Sequence, residues 1–167
     1  MAIFMLRGRG YAYWCPTVAD LTKPTPAEIG AGEDLTPAIT AIQGLEPQSN
    51  KINVPVWKHK QELQIDGPQT FQDVTITLVE DDGEGTDSDA TARQDALETL
   101  EEGAEGVLVM NRNSTSGPAN GDRTFSLPAV VGSQQPQWSL DASAATTVIA
   151  LSPSGALTPG TVTTPAG

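Results

Sequence analysis

The chain has 167 residues, a formal net charge of −12 and a single cysteine, Cys15; it is long enough for one domain with its own core, and neither an intrachain disulfide nor a cysteine-built zinc site is open to it. Residues 1–60 hold six Lys/Arg against five Asp/Glu, residues 61–110 one against fourteen, and residues 111–167 two against two, so one segment carries the imbalance. A field of that sign repels phosphate and disfavours a protein that grips a nucleic-acid backbone, although not one that lets nucleic acid pass.

From the start, "MAIFMLRGRG" has an apolar run too short for a signal peptide, with its arginines after the run and not before it. No run approaches the roughly 20 apolar residues of a membrane helix, so a soluble chain made in a cytoplasm is expected. "YWCPTVADLTKPTPAE" has three prolines and little periodicity and reads as extended. At "TPAEIGAG", Thr25 is placed to cap a short helical turn, with Pro26 at its first position and Glu28 inside it. Strands are expected at "LTPAITAI" from Leu35, "KINVPVW" from Lys51, "DVTITLVE" from Asp73, "GVLVMNR" from Gly106, "RTFSLPAVV" from Arg123 and "TTVIALS" from Thr146, where β-branched residues recur in short alternating runs. Val74, Ile76 and Leu78 share one face of their strand, whereas "GVLVM" is apolar on both faces and predicts a covered position. One longer helix is predicted over about 89–102: Ala92, Ala96, Leu97 and Leu100 fall at three- and four-residue spacing, Ser88 or Asp89 serves as N-cap, and Gly103 stops it. The end, "SPSGALTPGTVTTPAG", is uncharged and rich in turn residues, and reads as an extended tail.

The stretch Glu80–Asp89 packs six carboxylates into ten residues. As a calcium loop it fails in register: counting from Asp81 puts glycines at ligand positions, and counting from Asp87 leaves no glycine at the turn. A solvated loop leading into a capped helix is the expectation. The helix carboxylates lack the burial that would separate the pKa values of an acid and base pair. His59 is the only histidine, which rules out a two-histidine metal site, and Cys15 has no base near it in sequence. No nucleophile elbow, Walker loop or complete dinucleotide fingerprint is present. No catalytic, cofactor-binding or metal-binding residue is therefore expected, and the chain is not expected to be an enzyme. Lys51, Lys58 and Lys60 around Trp57 make a poor footprint for nucleic acid beside so negative a region. They suit the acidic surface of a second copy, with Trp57 as a buried anchor and Trp14 as a further contact candidate.

The order of these parts resembles the major tail (tail tube) proteins of long-tailed, siphovirus-like phages. The likeness runs from the proline-containing N-terminal segment through "PTPAEIGAGEDLTPAITAIQG", "IDGPQTFQDVTITLVEDD", the acidic loop, "ARQDALETLEEG" and "AEGVLVMNR" to "SLPAVVGSQQPQWSLDASAATTVIALSPSG". It implies a mainly β fold, a β-sandwich or partial barrel flanked by one helix, spanning residues 25–152 between an extended arm (1–24) and a tail (153–167). It also implies a virion protein that forms hexameric rings stacked into a tube, with tape-measure and tail terminator proteins as partners, no membrane and no cofactor. Double-stranded DNA would pass through the lumen without specific binding. The arm and the region Lys51 to Gln69 would contact neighbouring rings, and strand edges left open in one protomer would be closed by the next. Asp81, Asp82, Glu84, Asp87, Asp95 and Glu98 are expected to face solvent or the lumen. A β-sandwich module that binds carbohydrate or a surface partner is the alternative, with Trp14, Trp57 and Trp138 available for an aromatic platform.

Overall fold

The computed structural model describes residues 8–54, 63–71, 73–81, 85–138 and 144–164. Among these the chain forms β1 (Tyr11–Cys15), α1 (Pro26–Gly30), β2 (Glu33–Asp34), β3 (Ile39–Gln43), β4 (Pro47–Val54), β5 (Leu63–Phe71), β6 (Val74–Val79), α2 (Ser88–Thr99), β7 (Glu105–Asn111), β8 (Arg123–Gln137), β9 (Thr146–Pro153) and β10 (Thr158–Thr161). The main sheet is antiparallel, in the order β2-β1-β7-β8-β9-β6-β3, with β10 alongside the first half of β8; β4 and β5 form a separate two-stranded ribbon.

The two borders of the main sheet, β2 and β3, are consecutive in the chain and joined only by residues 35–38. A link that short forces the sheet to curl until its borders nearly meet, and α2 packs against both β2 and β6 across the remaining gap. The fold is thus a mainly β partial barrel closed by one substantial helix. Val74, Ile76 and Leu78 of β6, Leu108 of β7, Leu127 of β8 and Ile149 of β9 meet Ala96 of α2 and its C-cap Leu100 inside it. Fully burying one such aliphatic side chain stabilises the fold by roughly 1.5–3 kcal/mol. A second cluster lies on the other side of β1 and β7, where Ile29 of α1 and Val162 cover Tyr11, Cys15, Val107 and Val109. That double covering matches the two apolar faces read in "GVLVM".

α1 begins as its sequence requires. Thr25 Oγ1 accepts the Glu28 amide, the Glu28 carboxylate accepts the Thr25 amide, and Pro26 fills the first turn. The N-cap of α2 is Asp87, one residue before Ser88: its Oδ1 accepts the Ala90 amide at 2.7 Å. This differs from the expected Ser88 or Asp89: Ser88 already lies in the first turn of the helix and Asp89 follows it, so the cap falls to the residue before them. Past the helix, Gly103 adopts a φ of +88°, a conformation that glycine takes without strain, and its amide donates to Val131 O at 2.8 Å.

Several elements depart from expectation, among them β2 and β5, where no strand was expected. Residues 1–24 are not wholly an arm, because β1 lies between β2 and β7 with Ala12, Trp14 and Cys15 buried. The stretch after Pro153 is not wholly a tail, because β10 pairs with β8 and Val162 is fully buried. Both strands are held by tertiary pairing that local periodicity does not reveal. The expected strand from Leu35 starts at Ile39, since Leu35–Ala38 form the turn joining the sheet borders. Open edges are also fewer than an unclosed sheet would leave.

Candidate functional site

Apart from the linked borders β2 and β3, two places among the described residues offer strand edges without a partner. The first is the β4–β5 ribbon, whose outer edges have no strand partner among the described residues. Its register sets Ile52 against Ile65, and these side chains are 49% and 54% exposed. Lys51 stands opposite Asp66, an opposite-charge cross-strand pair. Gly67 is required here, since a Cβ would come within 3.2 Å of the Ile52 side chain while also colliding with Asn50 O.

The second is the far half of β8. Val130 pairs with Glu105 on one side and Ser152 on the other, and there β7 ends. From Ser133 to Gln137 only the β9 side is paired; Gln134 Nε2 reaches across the other to the carbonyls of Leu97 and Leu100, 2.8 Å from each. Pro136 removes a donor from this edge, a common device against indiscriminate pairing. Immediately beyond stands Trp138, 95% exposed.

A third surface is the outer face of the β8–β9–β6 sheet. Its register aligns Ser133, Ala150 and Thr75 in one row, Gln135, Val148 and Thr77 in the next, and Gln137, Thr146 and Val79 in a third. None is charged, on a chain whose net charge is −12. The acids stand elsewhere. Asp81 pairs with Arg93 at 3.0 Å, and Arg93 Nε also donates to Pro37 O at 3.3 Å, which ties α2 to the linked borders. Asp87 caps α2, and Asp95 and Glu98 are exposed along it. Asp82 and Glu84 lie outside the described residues.

Of the expected contact residues, Lys51 is exposed on the ribbon, while Trp57, Lys58 and Lys60 lie outside the described residues. Trp14 is corrected: it is 3% exposed inside the barrel, and its indole packs so closely on Gly106 that a Cβ there would stand 2.6 Å from it. A side chain so enclosed cannot reach a neighbouring protomer. Ile52 and Ile65 were missed as surface residues, while Trp138 had been named only for the aromatic platform of the alternative reading. Signals for them existed in the polar company of Ile52 in "SNKIN" and in "QQPQW", where no apolar partner precedes the tryptophan.

Reactive chemistry finds little support. Burial, followed by the charge of Glu28, pushes the Cys15 thiol up to about 11, and its Sγ faces the Ile29 carbonyl. Burial, then the charges of Asp95 and Asp34, raises the Glu33 carboxyl. His59 lies outside the described residues, among which no group of His, Cys, Asp and Glu is arranged to hold a metal ion.

Residues 1–166 match the family described as Phage tail tube protein. No curated protein matches the chain significantly. Among solved structures, the PVC sheath/tube terminator of an extracellular contractile injection system, in its extended state, is similar at 12% identity and a TM-score of 0.62, with 95% of this chain and 97% of that chain covered. The PVC sheath-tube complex in its extended state gives 13% and 0.56, over 92% and 89% of the two chains. The anti-feeding prophage cap, a tube-terminating cap, gives 13% and 0.55, over 97% and 94%. At such identities the likeness is one of fold.

Proposed function

The chain belongs to the phage tail tube protein family, and from that premise we propose that it is the subunit of a siphovirus-like tail tube, in which six copies close a ring and rings stack around a channel for DNA ejection. Its role in the virion tail is structural, not enzymatic. The observation that carries the finer reading is the β4–β5 ribbon, a pair of strands that joins no other sheet among the described residues and leaves Ile52 and Ile65 exposed. A ribbon of this kind is marginal alone and gains stability when a neighbour buries it. Tape-measure and terminator proteins are the further partners in this reading, and double-stranded DNA moves through the lumen without specific binding.

The uncharged rows of β8, β9 and β6 suit the channel wall. A moving polyanion meets no cation there to hold its phosphates, and the acids of α2 are left to other surfaces. In this reading the lumen is neutral, and Asp87, Asp95 and Glu98 face solvent, the other of the two placements expected for them.

The test is to express the chain and observe it by negative-stain microscopy and mass measurement. Hexameric rings or tubes are expected. A protein that stays monomeric at high concentration, even with terminator and tape-measure proteins added, would sink the proposal and favour the binding module. The fold shared with the PVC sheath-tube complex supports a second reading, a tube inside a contractile sheath. Tubes that recruit a co-expressed sheath protein would favour it over the siphovirus-like form.

A further inference from the structure

The charges of the protomer are sorted along β7. At its C-terminal end Arg112 follows Asn111, and the pairing of Met110 with Phe125 brings the start of β8, and so Arg123, to the same end. The pairing of Tyr11 with Asn111 adds Arg9, whose Nη1 donates to Asn113 Oδ1 at 3.2 Å. Lys23 joins them, since Thr161 pairs with Arg123 while its amide donates to Thr22 O at 3.0 Å. The acids nearby are committed locally: Asp20 accepts the Thr22 amide at 2.8 Å, and Asp122 the Ala119 amide at 3.0 Å. Arg112 and Arg123 are exposed and form no ion pair among the described residues.

The other end of β7 is the reverse. Glu105 opens the strand, and Glu101 and Glu102 precede it, all three exposed. They gather at the C-terminal end of α2, fixed there by Gln134 on the Leu97 and Leu100 carbonyls. The last turn of α2 has no basic residue, and Glu98 stands on it. A helix C-terminus carries partial negative charge and favours cations, so acids alone make this end electrostatically unfavourable in a lone protomer. The two ends cannot relieve each other within one molecule. Seven residues of strand span about 20 Å, beyond the ~8 Å screening length of physiological salt.

We propose that the cationic end of one copy, centred on Arg112 and Arg123, docks on the acidic end of the next, centred on Glu101, Glu102 and Glu105. Guanidinium groups suit carboxylates because they pair in a two-pronged geometry. The contact is heterologous, with different surfaces on the two copies, so it propagates into rings or filaments and not into closed dimers. The inference rests on the tube reading and adds to it the polarity of assembly.

Charge reversal tests it. R112E/R123E makes both ends acidic, and E101R/E102R/E105R makes both ends net basic, since Glu98 alone remains against three arginines. All five side chains are exposed, and far-UV circular dichroism checks that each variant is folded. Each variant alone is expected to raise the critical concentration for polymerisation at low salt by about tenfold or more. An equimolar mixture is expected to polymerise, because each end of one variant then meets an end of opposite charge on the other. A single chain carrying all five reversals is expected to polymerise as well. Wild-type protein that assembles while either folded variant assembles equally well overturns this inference alone, as does failure of both the mixture and the fivefold variant. A wild-type chain that never assembles overturns the tube reading and this inference together.

Discussion

Glu28 shows how much one side chain can settle. Its carboxylate accepts the Ala19 amide at 3.0 Å and the Thr25 amide and hydroxyl at 2.8 Å each, so it closes the capping box of α1 and pins the segment before it. These hydrogen bonds, Ala19's first, hold its pKa below the ordinary carboxylate value. With a lowered folded pKa the contribution is present above the unfolded value and is lost as pH falls through the folded one. Glu28→Gln is expected to cost about 1 kcal/mol at neutral pH, with the gap to wild type closing in acid; urea unfolding at the two conditions measures both. Cys15 is expected to resist alkylation in the native protein at mildly alkaline pH and to react only on unfolding, which mass spectrometry after timed quenching would show. Gly106→Ala would drive a methyl into the Trp14 indole and is expected to lose about 1–3 kcal/mol by thermal or urea unfolding. The capping residues Thr25, Pro26 and Glu28 were legible because the box is local. Trp14 was not, since its neighbour Gly106 lies far away in sequence and only the β1–β7 register brings them together.

The elements divide the same way. β6, β7 and β9 follow their apolar patterns almost to the residue, α1 follows its cap and α2 its spacing, though not its expected N-cap, because each carries its pattern within itself. β1 and β10 do not: prolines and glycines surround them, and their strand character comes from the neighbours they pair with. Removing residues 1–24 is therefore expected to unfold the protein instead of yielding a folded, assembly-poor one, since β7 would lose a central neighbour and the barrel would lose the Trp14 indole. Loss of the cooperative thermal transition by circular dichroism would show it; a truncated chain that melts like the intact one would contradict the placement of β1. The ribbon predicts the opposite outcome. Ile52→Ser with Ile65→Ser leaves the barrel core untouched, so the melting transition is expected to persist while polymerisation weakens, as followed by light scattering.

For the whole molecule, the sequence pointed to a mainly β fold with one flanking helix, a structural role and an uneven distribution of charge. It left hidden how that charge is arranged in space, because Glu105 and Arg112 are close in the chain yet mark opposite ends of one strand. The same holds for the neutral face, built from three strands each of which carries polar and apolar residues without apparent bias. If that face lines the channel, Thr77→Lys with Val148→Lys is expected to slow DNA exit from particles in a salt-sensitive manner while tubes still form; an unchanged exit rate would remove the face from the wall. The place of β1 has one more result. It leaves the ribosome early, but its sheet neighbour β7 is translated well past the midpoint of the chain, and the sheet between the linked borders β2 and β3 stays incomplete until β8 and β9 exist. A nascent polypeptide therefore holds no completed barrel until β9 has been translated.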